Sequence, residues 1–214
     1  MASEMPQPDS EPSDEAWREI EALVDQIAQL SKAELSSAEF YAEFLPRAVS
    51  GLAALGGVVW ARGPSGDLAA QYQLHPPDRR LLDSPAAQVQ HGQLAAQVLD
   101  TGQPRLLLPR SEAAGDDPLA NPTEFLLLLC PWRADSDSAG VVEVFQRPGA
   151  SPKAQRGYLR FLEVVCELVA DFHRQRELRA YRHRAAQWGH WQQYLEAIHH
   201  SLRPRATAFA IANE

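Results

Sequence analysis

Cysteine is scarce: Cys130 and Cys166 are the only two in 214 residues. That is too few for a disulfide framework and fits a reducing compartment. Long apolar runs are missing as well. A bilayer span takes about 18–20 apolar residues, whereas the run Phe125–Pro131 stops at seven. The opening MASEMPQP has neither a basic nor an apolar region, so no signal peptide is read. Membrane insertion by this segment is not expected, and a cytoplasmic location is. GxGxxG, P-loop, GxSxG and HExxH patterns are all lacking. Their absence removes the usual sequence marks of dinucleotide and nucleotide binding, serine hydrolysis and zinc proteolysis. No repeat of 20–50 residues is visible.

What is present is the composition of a globular chain, 45% hydrophobic and 22% charged, long enough to bury a core without metal or disulfide. The net charge of −8 is unevenly spread. Residues 1–43 hold eleven acids against Arg18 and Lys32, while 173–205 hold seven arginines against Glu177 and Glu196. Opposite charge at the two ends suggests that the first and last helices meet, within one chain or between two copies. An Arg-rich end also suits an anionic partner, but a pI near 5.4 is far from the basic footprint of nucleic-acid binding, so none is expected.

Residues 1–13 are rich in Pro, Ser and acid and read as a disordered tail. Ser13 caps a first helix, 14–35, whose Ile20, Leu23, Val24, Ile27 and Leu30 recur at helical spacing. Ser36 or Ser37 opens a second helix over 38–54, which Pro46 should kink or delay. Val58–Ala61 and Leu68–Leu74 flank a Gly/Pro turn and form a hairpin. A helix over 85–101, periodic in Val89, Leu94 and Val98, closes on Gly102. Strands follow at 105–108, 123–132 and 141–145. The unalternating Leu126–Leu129 run requires apolar cover on both faces of the sheet. After Ser151-Pro152 a helix can run to about 203 without internal proline. This order is α+β with a mainly antiparallel sheet.

The last helix carries two apolar seams. Tyr158, Leu162, Val165, Val169 and Phe172 alternate steps of four and three, and Leu178, Tyr181, Ala185, Trp188, Leu195 and Leu202 make a second seam. The step of six from Phe172 to Leu178 turns the helix about 600°, displacing the stripe by about 120°. Either the helix changes partner there or it breaks near 176.

Few residues suggest chemistry. Cys130 and Cys166, in apolar surroundings, read as small buried hydrophobes before reactive thiols. His183 and His190 are seven apart and His199-His200 diverge, so the spacing does not chelate, and no metal or cofactor is expected. Asp116-Asp117 are turn formers in a Gly/Pro loop before they are ligands. Trp188, Trp191 and Tyr194 read as helix packing before a partner hot spot. Glu143 stands apart. Flanked in phase by Val141 and Phe145, it must reach solvent, find an Arg, or anchor a ligand.

The segments Gly102–Pro109, Asn121–Pro131 and Gly140–Gln146, followed by a closing helix, resemble a GAF domain, and the preceding helix, hairpin and 85–101 excursion fall where that family has them. The resemblance covers about 36–176. It implies a five- to six-stranded sheet in order 2-1-5-4-3 with helices on both faces. It also implies a small-molecule sensor or dimerisation module, non-catalytic, with a pocket between one sheet face and the loops around it. On that basis Trp60, Tyr72, Phe125 and Glu143 are candidate ligand contacts. The Asn-Lys…Phe…Asp-Glu signature of cyclic-nucleotide binders is absent. Neither cysteine matches those of bilin-binding relatives or of the methionine sulfoxide reductases of this fold. Residues 177–203 read as a helical extension. Thr207–Glu214 resembles the start of another such unit, as in a longer signalling or transport-regulating protein. A homodimer is expected through Ile20, Leu23, Ile27 and Leu30 and through Leu178, Tyr181, Trp188 and Leu195. Its alternative role is that of a scaffold without ligand.

Overall fold

The structure, a computed structural model, describes residues 14–63, 66–75, 82, 84–112, 120–135 and 138–201, without the side chains of 14–17, 189–190 and 194–201. The expectations for 1–13, Asp116-Asp117 and 204–214 lie outside these residues, as do those for the side chains of Tyr194 and Leu195. The chain divides into two units, one ending at Arg174 and the other beginning at Gln175.

In the first unit, α1 (Asp14–Leu30) and α2 (Ser37–Gly51) precede the hairpin β1 (Gly56–Arg62) and β2 (Leu68–Leu74). There follow α3 (Pro85–Thr101), β3 (Arg105–Leu107), β4 (Leu126–Arg133), β5 (Ala139–Gln146) and α4 (Pro152–Ser201), which continues into the second unit. The five strands form one antiparallel sheet in the order β2-β1-β5-β4-β3. Five strands, in the implied order, place β5 at the centre. No helix of the described residues is long and apolar enough to cross a membrane.

Local chemistry explains the boundaries. Ser36 and Glu39 form a reciprocal capping box: the Ser36 backbone N–H donates to Glu39 Oε2 at 2.8 Å, and the Glu39 N–H donates to Ser36 Oγ at 3.3 Å. The Ser36 hydroxyl and N–H hold the Glu39 carboxyl below its ordinary 4.5. With that cap α2 starts at Ser37 and runs through Pro46, so the delayed start does not occur. In α3, Ser84 caps one end, Pro85 occupies the first turn, and Gly102 at φ 66° closes the other in the left-handed region. Strand β4 begins at Leu126, three residues later than the expected start at 123. Asn121 is the cause. Its Nδ2 donates to the carbonyls of Leu108 and Phe125 at 3.0 and 2.8 Å, and its Oδ1 accepts from Thr123 N and Oγ1, folding 121–125 into a turn.

Strand parity sorts the core into two halves. Val59, Ala61, Leu128, Cys130, Trp132, Val142 and Val144 face α1, α2 and α4; Val58, Trp60, Leu127, Leu129, Val141 and Phe145 face α3. The Leu126–Leu129 run is thus divided between two apolar layers, and every residue of β5 is buried. On the first face Phe40 stacks on Phe172 at 3.9 Å, and His173 stacks on Trp132 at 4.5 Å while bonding the Tyr41 hydroxyl at 2.8 Å. Helix α1 packs on α2, with Ile27 wholly buried and Val24 and Leu30 against the same core. Ile27 is thus covered within its own chain, whereas Leu30 is covered only in part. Ile20 and Leu23 stay half-buried.

The sheet closes tightly at one point. A Cβ at Gly140 would lie 2.1 Å from the Trp60 carbonyl oxygen and 2.7 Å from the Trp132 ring, closer than any side chain tolerates. Gly140→Ala should cost about 1–3 kcal/mol or more through forced displacement of β1 or Trp132, read as a lowered urea midpoint. An unchanged midpoint would refute that close approach.

Candidate functional site

Glu143 lies in the middle of the central strand with no exposure to solvent. A carboxylate so placed needs donors, and two converge on it. Trp60 Nε1–H donates to Oε2 at 2.9 Å, and His91 Nδ1 lies 2.5 Å from Oε1. His91 is 2% exposed. Where Glu143 is a carboxylate, which only accepts, His91 Nδ1 is the donor of the shorter contact. His91 Nε2 makes no hydrogen bond to any of the described residues.

The fold accounts for each position. Trp60 and Glu143 both point to the α3 side because their strands pair antiparallel with Val58 opposite Glu143 and Trp60 opposite Val141, which puts like-facing residues side by side. His91 comes from the buried stripe of α3, three residues before Leu94 and seven before Val98. Phe125 and Phe145 meet edge to face at 5.9 Å on the same side, and His91 lies over Phe145 at 5.5 Å. The cluster thus has an apolar wall and a small polar centre.

Of the four residues expected to line a pocket, the structure brings Trp60, Phe125 and Glu143 to one face. Tyr72 is corrected. It pairs with Val59 and packs against the opposite core, because the register shift between Val59 and Trp60 turns it away from the face that Leu68 and Ala70 share. His91 was missed, and the signal was present: it is in phase with Leu94 and Val98. Val89, which the periodicity reading chose instead, is 61% exposed. Two surface depressions lined by described residues lie elsewhere. One, of about 540 Å³, lies at Asp25, Leu30 and Arg47; the other, of about 430 Å³, lies at Pro104, Cys130 and Arg160.

The thiols sit on the other face. Both are buried, and Cys166 Sγ donates to the Cys130 carbonyl at 3.6 Å. Burial, reinforced by the adjacent Cys130, pushes the Cys166 thiol well above its ordinary value. Among the described residues no three His, Cys, Asp or Glu side chains converge to hold a metal ion. In the second unit Leu178, Tyr181 and Trp188 are exposed.

No protein-family model and no curated protein matches the chain. Solved structures do match its fold. The GAF domain of A. aeolicus nlh2, in an inactive state, is 14% identical over 75% of this chain and 99% of that one, with a TM-score of 0.56. A putative GAF sensor protein from Burkholderia vietnamiensis is 17% identical over 81% and 99%, with a TM-score of 0.51. The free methionine-R-sulfoxide reductase of Neisseria meningitidis, in complex with its substrate, is 12% identical over 80% and 99%, with a TM-score of 0.50. The first unit has a GAF-like fold.

Removing one member of the buried cluster leaves the others without partners. Glu143→Ala should destabilise the protein by about 3 kcal/mol, and Glu143→Leu combined with His91→Leu should recover part of that loss. Urea unfolding measures both. Additive losses in the double variant would show that the two residues do not act as a pair.

Proposed function

We propose that the chain is a non-catalytic regulatory module that senses a small molecule beside Glu143, His91 and Trp60 and relays through α4. One observation carries this reading: a fully buried carboxylate in the central strand of a GAF-like sheet, held from two sides, with a ring nitrogen left over. The arrangement suits a ligand of small size whose N–H or O–H donates to His91 Nε2 while its apolar part lies against Phe125 and Phe145. Because Glu143 fixes the imidazole's tautomer and orientation, ligand binding at Nε2 would be felt in β5 and hence across the whole sheet.

The absence of catalysis is supported by the state of the thiols. A reductase of the same fold exists, yet Cys166 here is buried beside Cys130 and held protonated, the reverse of what a thiolate nucleophile needs. The second reading, a homodimerisation scaffold, is favoured by the exposed aromatic residues of the second unit.

Native mass spectrometry of the purified chain tests the ligand. A bound mass, or a small-molecule library member that raises the melting temperature, should be found with the natural sequence and lost in His91→Phe. Bare protein with no stabiliser in the library would overturn sensing and leave the scaffold reading. For the thiols, a thiol reagent should modify Cys166 only on unfolding. A thiol raised in the folded state keeps its proton where the unfolded one loses it. Stability is therefore full below the ordinary thiol value of 9.0 and should fall as pH rises beyond it. Rapid modification of the folded protein at neutral pH would contradict this.

A further inference from the structure

Like-facing residues of paired strands fall in rows across a sheet. One row holds Val58 of β1, Glu143 of β5, Leu129 of β4 and Arg105 of β3, each the direct partner of the next. Arg105 lies on the α3 side with the others. Leu107, two residues on, packs in that core, and Leu106 between them packs against the opposite one. The row therefore carries an acid and a base with an apolar leucine between them. Strands lie about 4.8 Å apart, so the Cα atoms of Arg105 and Glu143 are about 10 Å from each other. Glu143 does not serve Arg105, because Trp60 and His91 hold its carboxylate. The Arg105 Nε is buried and has no hydrogen-bond partner among the described residues. A guanidinium keeps its charge at every working pH, so a buried N–H left without an acceptor is costly. The fold does not ask for that cost. β3 is an edge strand of three residues, and a neutral side chain of the same length would avoid it.

We propose that Arg105 is the anion-binding residue of the site, and that the ligand is a small carboxylate which also bears a hydrogen-bond donor. The carboxylate meets the Arg105 guanidinium, and the donor, a hydroxyl or an amine, meets His91 Nε2. The carbon chain between them lies along the row beside Leu129. This rests on the sensing reading above and names its ligand class. Two features select the chemistry. The planar fork of a guanidinium matches the two oxygens of a carboxylate. Glu143 already places one acid in the row, so a dianionic phosphate would be repelled there, whereas a monoanion carrying its own donor is balanced. The spacing of the row limits the ligand to a few carbon atoms.

The test uses the full chain, dialysed free of small molecules. The probes are 2-hydroxy acids and 2-amino acids of about three to six carbons, each beside its neutral carboxamide, with titration calorimetry and melting temperature as readouts. One acid series should bind and stabilise the natural chain, and which series does so identifies the donor as hydroxyl or amine. Its carboxamides should bind at least about tenfold more weakly, and so should the acid to Arg105→Met. Arg105→Lys should restore part of the loss, because it keeps the charge without the fork. Without ligand, Arg105→Met should melt at or above the natural temperature, since it removes a buried donor that lacks an acceptor. A lowered melting temperature of that bare variant would give Arg105 a structural partner within the chain and overturn the proposal. Equal binding of acids and carboxamides, or binding of neutral library compounds alone, would overturn it too and leave the sensing reading standing. If neither acids nor neutral compounds bind, the sensing reading falls with it.

Discussion

A strand with no water on either face and a paired neighbour on either edge can hold a carboxylate only where the layers around it supply donors. Strand β5 is such a strand, and Glu143 is its one ionisable residue. Trp60 must reach it from β1 and His91 from α3, which fixes how α3 lies on the sheet and how β1 registers against β5. An isolated buried charge would be too costly to keep, so the fold and the cluster are each a condition of the other. A buried polar cluster of this kind is weak as a source of net stability, since apolar replacements of equal volume often do as well. Its retention at the centre of the sheet is better explained by what it positions.

The opposite face is organised by shape instead of charge. Phe40, Phe44 and Phe172 stack in series, and His173 is held flat on Trp132 by the Tyr41 hydroxyl. Those contacts bind α2 and α4 to the same sheet that carries Glu143 on its other side. A change at His91 Nε2 would have a short route to α4: Glu143 and Val142 are successive residues of one strand, and Val142 lies in the α4 core. That route is one of packed side chains.

Much of this was legible in the sequence, for identifiable reasons. The end of α3 was marked by Gly102, whose left-handed conformation closes the helix. The burial of both sheet faces followed from four leucines in a row, since no alternating strand can place them all inside. Glu143 was conspicuous because a charge among valines has few places to go. Three things were not legible. The start of β4 depended on Asn121, whose amide hydrogen bonds span fourteen residues to Leu107. The face of Tyr72 depended on the irregularity between Val59 and Trp60, which shifts the β1–β2 register, since strand parity cannot be carried across a bulge. His91 was hidden by composition: α3 is rich in Ala and Gln, so Val89 drew the stripe one phase away from its true line through Leu94 and Val98.

The account stands on the proton that His91 Nδ1 gives to Glu143 and the one that Trp60 Nε1 gives to the same carboxylate. Long-range proton–nitrogen correlation NMR of the two rings observes both directly. The account predicts that His91 carries a proton on Nδ1, that the Trp60 indole N–H exchanges with solvent far more slowly than those of Trp188 and Trp191, and that both signals move in Glu143→Gln. An unprotonated Nδ1, or a Trp60 N–H exchanging as fast as the exposed tryptophans, would contradict it.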